Sequence, residues 1–327
     1  MLHFCTLFDK NYLSRGLVMY QSLIRNCSDC RVFIIAFDDQ SELVLRKMNL
    51  EKVTVVSLNE FEDTELLAVK PTRSKAEYCW TCTPSVILFC IRKFNLPSCV
   101  YVDADLFFYQ SPQALLDEIP QSHHVMITAH RYSWYYDRSN ASGKYCVQFM
   151  YFDSSQPAMD VLTTWRNQCL EWCYNRIEDG KFGDQKYLDD WTTRYRHVWE
   201  LQHPGGGLAP WNIQQYRFEN NSEGTEIKTR KKFIPVFYHF HGVKFYQHGK
   251  LILFPNTYHI SKQVKSVFYD PYIEQLQKAK DLIRNFDAGI DPHGSRPASC
   301  YFAEKYIHGI VSYFYLNYVK RIFKSNG

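Results

Sequence analysis

Leu2–Leu7 is a short, nearly unbroken apolar run, and Leu13–Asn26 changes to a helical rhythm with apolar residues three and four apart. Val32–Phe37 is a second apolar run, followed by a helical stretch around Ser41–Met48 and a strand-like stretch at Val53–Leu58. Short apolar strands alternating with helices predict an α/β fold whose mainly parallel central sheet is covered on both faces by helices. Ser74–Phe94 reads as a further helix. It leads into Cys99–Phe108, an apolar run broken only by two aspartates.

Val125–Phe152 reads as strand, irregular aromatic loop (Arg131–Gly143) and strand. A helix over Pro157–Asn175 follows, then a polar loop and a short helix around Asp184–Tyr195. The glycine-rich stretch Pro204–Leu208 precedes Trp211, and Phe233–Phe240 reads as another strand. From Tyr258 the pattern is mainly helical, with Val264–Ile283, a Gly/Pro/Asp loop to Pro297, and Tyr301–Lys324. No repeat or low-complexity linker divides the chain. The expected organisation is one α/β catalytic domain over residues 1–257 with a helical C-terminal extension over residues 258–327.

Composition narrows the partners. A net charge of +4 and the absence of any nucleic-acid module signature exclude nucleic acid as the expected ligand. Aromatic residues, at 17%, are abundant enough to suit sugar-stacking surfaces, although most such rings belong in cores. The 11 cysteines fall mostly in apolar segments, the first residues lack a leader pattern, and no apolar run reaches membrane-spanning length. These features predict reduced thiols and a cytoplasmic location. Of the pairs Cys27/Cys30 and Cys79/Cys82, the second falls within an expected helix, which argues against a zinc loop.

The chemistry centres on Tyr101-Val102-Asp103-Ala104-Asp105-Leu106-Phe107. In an extended segment, residues i and i+2 face the same side, so Asp103 and Asp105 form a claw of hard oxygens suited to Mn²⁺ or Mg²⁺. With 19 aspartates in the chain, chance supplies about one such tripeptide. Its place gives it weight. It ends the most apolar run after several strand–helix units, and open α/β sheets bind ligands at the carboxyl ends of their strands. His239-Phe240-His241-Gly242-Val243-Lys244 adds two imidazoles on one strand face, a glycine and a lysine. Either His239 or His241 can serve as a nitrogen ligand.

Phe4-Cys5-Thr6-Leu7-Phe8-Asp9-Lys10-Asn11-Tyr12, Arg73–Trp80, Tyr101–Phe107, Gly183-Asp184-Gln185 and His239–Lys244 together resemble family 8 glycosyltransferases, in the same order along the chain. That family contains glycogenin and bacterial lipooligosaccharide galactosyltransferases. The chain as a whole looks most similar to uncharacterised bacterial transferases related to it. The resemblance spans roughly residues 2–250 and implies the GT-A nucleotide-diphospho-sugar transferase fold. It further implies a nucleotide-sugar donor, UDP-linked, a saccharide or lipid-linked saccharide acceptor, and retention of anomeric configuration.

The resemblance also implies roles. Thr6, Phe8, Asp9 and Tyr12 follow the first strand, where such enzymes hold the nucleobase and ribose. Lys75 matches a basic residue that approaches the diphosphate, with a solvated helix lysine as the alternative. Asp103, Asp105 and His239 match metal ligands, and Lys244 would neutralise the departing diphosphate. Asp184 and Gln185 lie beside the anomeric carbon in the family, and Asp184 can equally cap the following helix. Two features depart from the family pattern. Lys244 follows Gly242 after one residue rather than two, and Gln148 stands where the family's Asn-x-Gly strand has glycine.

Gly205–Trp211 is expected to bring backbone close to a ligand, with Trp211 as a sugar platform. The aromatic, basic segment Tyr301–Lys324 packs on the domain in the commoner arrangement. Its second reading is a peripheral contact with the inner face of an anionic membrane. Two rival functions remain, a sugar-phosphate nucleotidyltransferase and a non-catalytic carbohydrate-binding protein. The first would want a glycine- and basic-rich loop after the first strand, and Thr6–Tyr12 contains no glycine.

Overall fold

The computed structural model describes residues 1–221, 224–228 and 232–307. β1 (Leu2–Phe8), α1 (Leu13–Asn26), β2 (Cys30–Ala36), α2 (Asp39–Met48) and β3 (Val53–Val56) form the alternating first part of the chain. A long helix, α3 (Lys75–Lys93), follows, closed at its N-terminus by a reciprocal Ser74–Glu77 capping box. The expected Cys99–Phe108 strand is two strands, β4 (Ser98–Val102) and β5 (Leu106–Phe108), parted at the aspartates. β6 (Val125–Ala129), β7 (Tyr145–Asp153), α4 (Gln156–Glu171) and β8 (Val198–Glu200) complete the frame.

Seven strands form one sheet in the order β3-β2-β1-β4-β7-β6-β8. β1 pairs in parallel with β2 and β4, and β2 pairs in parallel with β3. β7 runs antiparallel to both neighbours, and β6 pairs in parallel with β8. The sheet is therefore mainly parallel, with a single reversed strand beside β4.

Alternation along β1 and β2 divides the core in two. Phe4, Val32 and Ile34 join one cluster and Cys5, Phe33 and Ile35 the other. On the first face α1 buries Leu13, Leu17, Val18 and Leu23. α3 and α4 cover the second, where Val86, Ile87, Val161 and Trp165 are buried. Each such side chain contributes about 1.5–3 kcal/mol by leaving water, before the entropic cost of ordering it.

Past residue 257 the chain returns to the first face. α5 (Asp270–Arg284) places Tyr272, Leu276, Ala279 and Ile283 in the same cluster as α1. The Gly/Pro/Asp loop then crosses to the start of α1. Pro292 carbonyl accepts from both the backbone N–H and the hydroxyl of Ser14, at 3.1 and 2.9 Å. Gly294 passes so close to Asn11 that a Cβ there would sit 2.5 Å from the Asn11 side chain. Of the expected Tyr301–Lys324 helix, the described part is a short helical segment, Ala298–Phe302, and the turn Ala303–Ile307. Ile310, Tyr313, Phe314, Lys320, Arg321, Phe323 and Lys324, and the side chain of Tyr306, lie outside the described residues. Among the described residues no helix is long and apolar enough to cross a membrane.

Candidate active site

Asp103 and Asp105 converge through a tight turn, not through the extended spacing expected of them. β4 ends at Val102, the Leu106 N–H returns to the Asp103 carbonyl at 3.4 Å, and β5 begins there. β9 (Phe237–His239) then pairs antiparallel with β5 and places His239 opposite Leu106. The Phe240 N–H donates to the Asp105 carbonyl at 3.0 Å, which locks that register. His239 Nε2 comes to lie 3.0 Å from Asp105 Oδ1 and 3.8 Å from Asp103 Oδ2. Among the described residues these three make one compact group with donor atoms suited to a metal ion. His241 is exposed and lies outside that group.

The reversed strand β7 supplies the next residue inward. Its Gln148 carbonyl accepts from the Asp103 N–H at 3.0 Å, and its side-chain Oε1 lies 2.7 Å from His239 Nδ1. Gln148 is fully buried. The glycine-to-glutamine departure is thus a support for the histidine. Gly207 makes room for it, because a Cβ there would lie 3.1 Å from Gln148 Nε2 and 3.0 Å from Thr128 Cγ2. Gly207 also has φ +101°, a conformation that favours glycine.

Electrostatics follow from this packing. Burial works to raise both aspartates. At Asp105 the neighbouring His239 outweighs burial and holds the carboxyl below its usual range, whereas Asp103 stays above it. Burial likewise works to lower His239, but Asp105 wins and the imidazole is held well above its ordinary value.

Trp211 is not a platform. It is 4% exposed, its Nε1–H donates to the His130 carbonyl at 2.9 Å, and its ring meets His239 and His241 edge-on at 5.3 and 5.6 Å. It is a wall behind the histidines. The glycine-rich loop before it is held by Arg131, whose guanidinium donates to the carbonyls of Leu201, His203 and Gly206.

Asp184 makes no capping hydrogen bond to the turn that follows it, so the capping alternative is not realised. Its carboxyl is buried, Oδ2 has no hydrogen-bond partner, and burial followed by the Asp103 charge pushes its pKa up to about 7. The Gln185 amide donates to the Ser142 carbonyl at 2.6 Å, which ties it to the aromatic loop.

The residues after β1 divide. Phe8 is 3% exposed, and its ring fills the space left by Gly16 in α1, so it belongs to the core and has no free face for a base. Thr6 is buried with its hydroxyl unpaired. Asp9 caps the turn Lys10–Tyr12 by accepting from the N–H groups of Asn11 and Tyr12 at 2.9 and 3.2 Å, and Tyr12 is 42% exposed. Lys75 is an ion-pair partner of Asp9, with Asp38 at 4.0 Å, so it is not a free solvated lysine.

One residue that sequence reasoning missed joins the surroundings. Arg15 is buried and bridges three segments, donating to the carbonyls of Asn11, Val243 and His293 at 3.1, 2.9 and 3.1 Å. An arginine at a buried helix position is the one local signal that marked it. Lys244, on β10 (Lys244–Phe245), is paired with Glu304 at 2.5 Å.

No protein-family model matches the chain. It is 28% identical over 291 residues to the uncharacterized protein YfnD of Bacillus subtilis, covering 86% of this chain and 91% of the relative. It is 29% identical over 249 residues to the uncharacterized protein YfnF of the same organism, covering 74% and 81%. Among solved structures, the galactosyltransferase LgtC, crystallised with donor and acceptor sugar analogues, aligns with a TM-score of 0.52 at 11% identity. The alignment covers 85% of this chain and 96% of that one. The fold is GT-A. At that identity the likeness speaks to the fold, and the chemistry must be argued from the site.

Proposed function

We propose that the chain is a metal-dependent, retaining glycosyltransferase. It would move a sugar from a UDP-linked donor to a hydroxyl of a saccharide or lipid-linked saccharide. The observation that carries this reading is the convergence of Asp103, Asp105 and His239 beyond the end of a parallel strand, with the histidine ring held by Gln148. The likeness to a galactosyltransferase of the same fold supports it, as does the ordered resemblance to family 8.

Two carboxylates and one imidazole fit Mn²⁺ or Mg²⁺, hard ions that leave coordination positions for water and phosphate oxygen. The donor set also fits, since His239 Nε2 already faces both acids and a metal ion held there displaces ligand protons as it binds. A bound ion would supply positive charge against the leaving diphosphate. Asp103, Asp105 and His239 Nε2 would hold it, and Gln148 Oε1 keeps Nδ1–H engaged so that Nε2 faces the acids. Thr6, Asp9 and Tyr12 border the region after β1 where the nucleoside would bind, with Lys75 fixed to Asp9. Lys244 would face the diphosphate.

Asp184, pushed up to about 7, is about half protonated at neutral pH, and Gln185 spends its amide on Ser142. Neither is prepared as a covalent nucleophile. Attack on the front face of the sugar, assisted by the departing phosphate, is therefore the favoured route. A nucleotidyltransferase would need a phosphate-cradling glycine loop after β1, where the Asp9-capped turn stands.

The reading is tested by screening UDP- and GDP-sugars for hydrolysis with Mn²⁺ or Mg²⁺. UDP release from at least one UDP-sugar, abolished by EDTA and by Asp105→Ala, is the expected result. Absence of release from every donor, or release undiminished in excess EDTA, would overturn it.

A further inference from the structure

Two cations converge on one carboxylate beside the site. Lys244 Nζ lies 2.5 Å from Glu304 Oε2, and Arg296 Nη1 lies 2.6 Å from Glu304 Oε1. The cations are built into the frame. Lys244 belongs to β10, and Arg296 forms a backbone bridge with Tyr246 just past it. Its N–H donates to the Phe245 carbonyl at 2.9 Å, and its carbonyl accepts from the Gln247 N–H at 2.9 Å. Arg15 holds the adjacent Val243 carbonyl, so the seat is rigidly connected to the start of α1. Lys244 follows His241 by three residues, and the His241 ring meets His239 of the metal group edge-on at 5.6 Å.

The carboxylate comes from elsewhere. Glu304 sits on the Ala303–Ile307 turn, after the loop that follows α5. Asn256 adds two anchors to that turn, donating to the carbonyls of Glu304 and Lys305 at 3.1 and 2.9 Å. Burial works to raise Glu304, but the hydrogen bonds from Lys244 and Arg296 prevail and hold it below the ordinary carboxylate range. Two like charges held on one frame, Lys244 at 35% and Arg296 at 50% exposure, repel each other, and an anion between them is favourable. A carboxylate bridging Lys and Arg satisfies the same donors that a phosphate would, with one oxygen for each cation.

We propose that Lys244 and Arg296 form a two-cation seat for the donor's diphosphate, and that Glu304 is its internal stand-in, displaced together with the Ala298–Ile307 segment when donor binds. The ligand assignment rests on the glycosyltransferase reading; the seat itself rests on the geometry. Glu304 then competes with donor and lowers its apparent affinity by the fraction of time the seat is open. For a seat open about one-tenth of the time, the loss is about tenfold.

The test is calorimetric titration of the full chain in Mn²⁺ with UDP and, separately, with uridine, which lacks phosphate. Glu304→Gln keeps the shape of the side chain and removes its charge. It should tighten UDP about tenfold and leave uridine unchanged. Glu304→Ala should act in the same direction, so the result does not hang on one variant. Adding Arg296→Ala to the Glu304→Gln background should then weaken UDP about tenfold, because one of the two charge-assisted contacts is gone. UDP affinity unmoved or weakened in both Glu304 variants overturns the proposal, as does equal tightening of UDP and uridine, which would make the segment a steric cover alone. If wild type binds UDP and loses it in Asp105→Ala, yet the Glu304 variants match wild type, the seat fails and the transferase reading stands. Failure of UDP to bind wild type and Glu304→Gln alike overturns both.

Discussion

His239 Nδ1 lies 2.7 Å from Gln148 Oε1, and the two side chains are almost wholly withdrawn from water. An imidazole fixed at one nitrogen presents the other in a defined direction, and here that direction is toward Asp105 and Asp103. The amide does the work that a carboxylate or backbone carbonyl performs behind many metal-binding histidines.

Gln148→Leu removes this partner at similar volume, so Mn²⁺ affinity should fall about 10–100-fold. Gln148→Glu keeps the acceptor and adds charge, so it should bind Mn²⁺ at least as well as wild type. Electron paramagnetic resonance of free Mn²⁺ during titration measures both. Equal affinities for the leucine variant and wild type would remove Gln148 from the account.

Gly207→Ala tests the space that Gln148 occupies. A methyl there meets Gln148 Nε2 and Thr128 Cγ2 in a backbone conformation with φ +101°. The cost should be about 1–3 kcal/mol, read as a lower Tm, and Mn²⁺ binding should weaken with it because the amide is pushed against His239. An unchanged Tm together with unchanged Mn²⁺ affinity would show that the loop yields freely.

Asp184 carries a pH dependence whose sign can be worked out. Burial, followed by the Asp103 charge, raises its folded-state pKa to about 7 from the 3.8 of an ordinary aspartate. Between those values the folded chain keeps a proton that the unfolded chain has lost, so this group's contribution to stability declines as pH rises through the window. Asp184→Asn cannot ionise. Its stability advantage over wild type should therefore grow between pH 5 and pH 8, measured by urea unfolding in EDTA. A gap independent of pH would show that Asp184 does not carry a raised pKa.

Much of the frame is legible locally. The apolar spacing of Leu13–Asn26 defines α1 to both ends, and Ser74 with Glu77 marks the start of α3. The Asp-x-Asp and the His239 strand are legible because their residue types are unusual among apolar neighbours. What escapes is contact between distant segments. Gln148 behind His239, Arg131 under the glycine loop and Glu304 on Lys244 each join residues tens of positions apart. Trp211 and Phe8 mislead for one reason, since an aromatic residue near a site reads alike whether its face is open or packed. Here Gly16 closes over Phe8, and Trp211 turns its N–H inward to His130.

The most direct test is equilibrium binding of UDP to wild type and to Asp105→Asn, each with Mn²⁺ and with EDTA. If the diphosphate is held through an ion on Asp103, Asp105 and His239, Mn²⁺ should tighten UDP at least about tenfold in wild type and have no effect in the variant. UDP affinity that is the same in Mn²⁺ and EDTA, or that responds to Mn²⁺ equally in both proteins, would contradict the account.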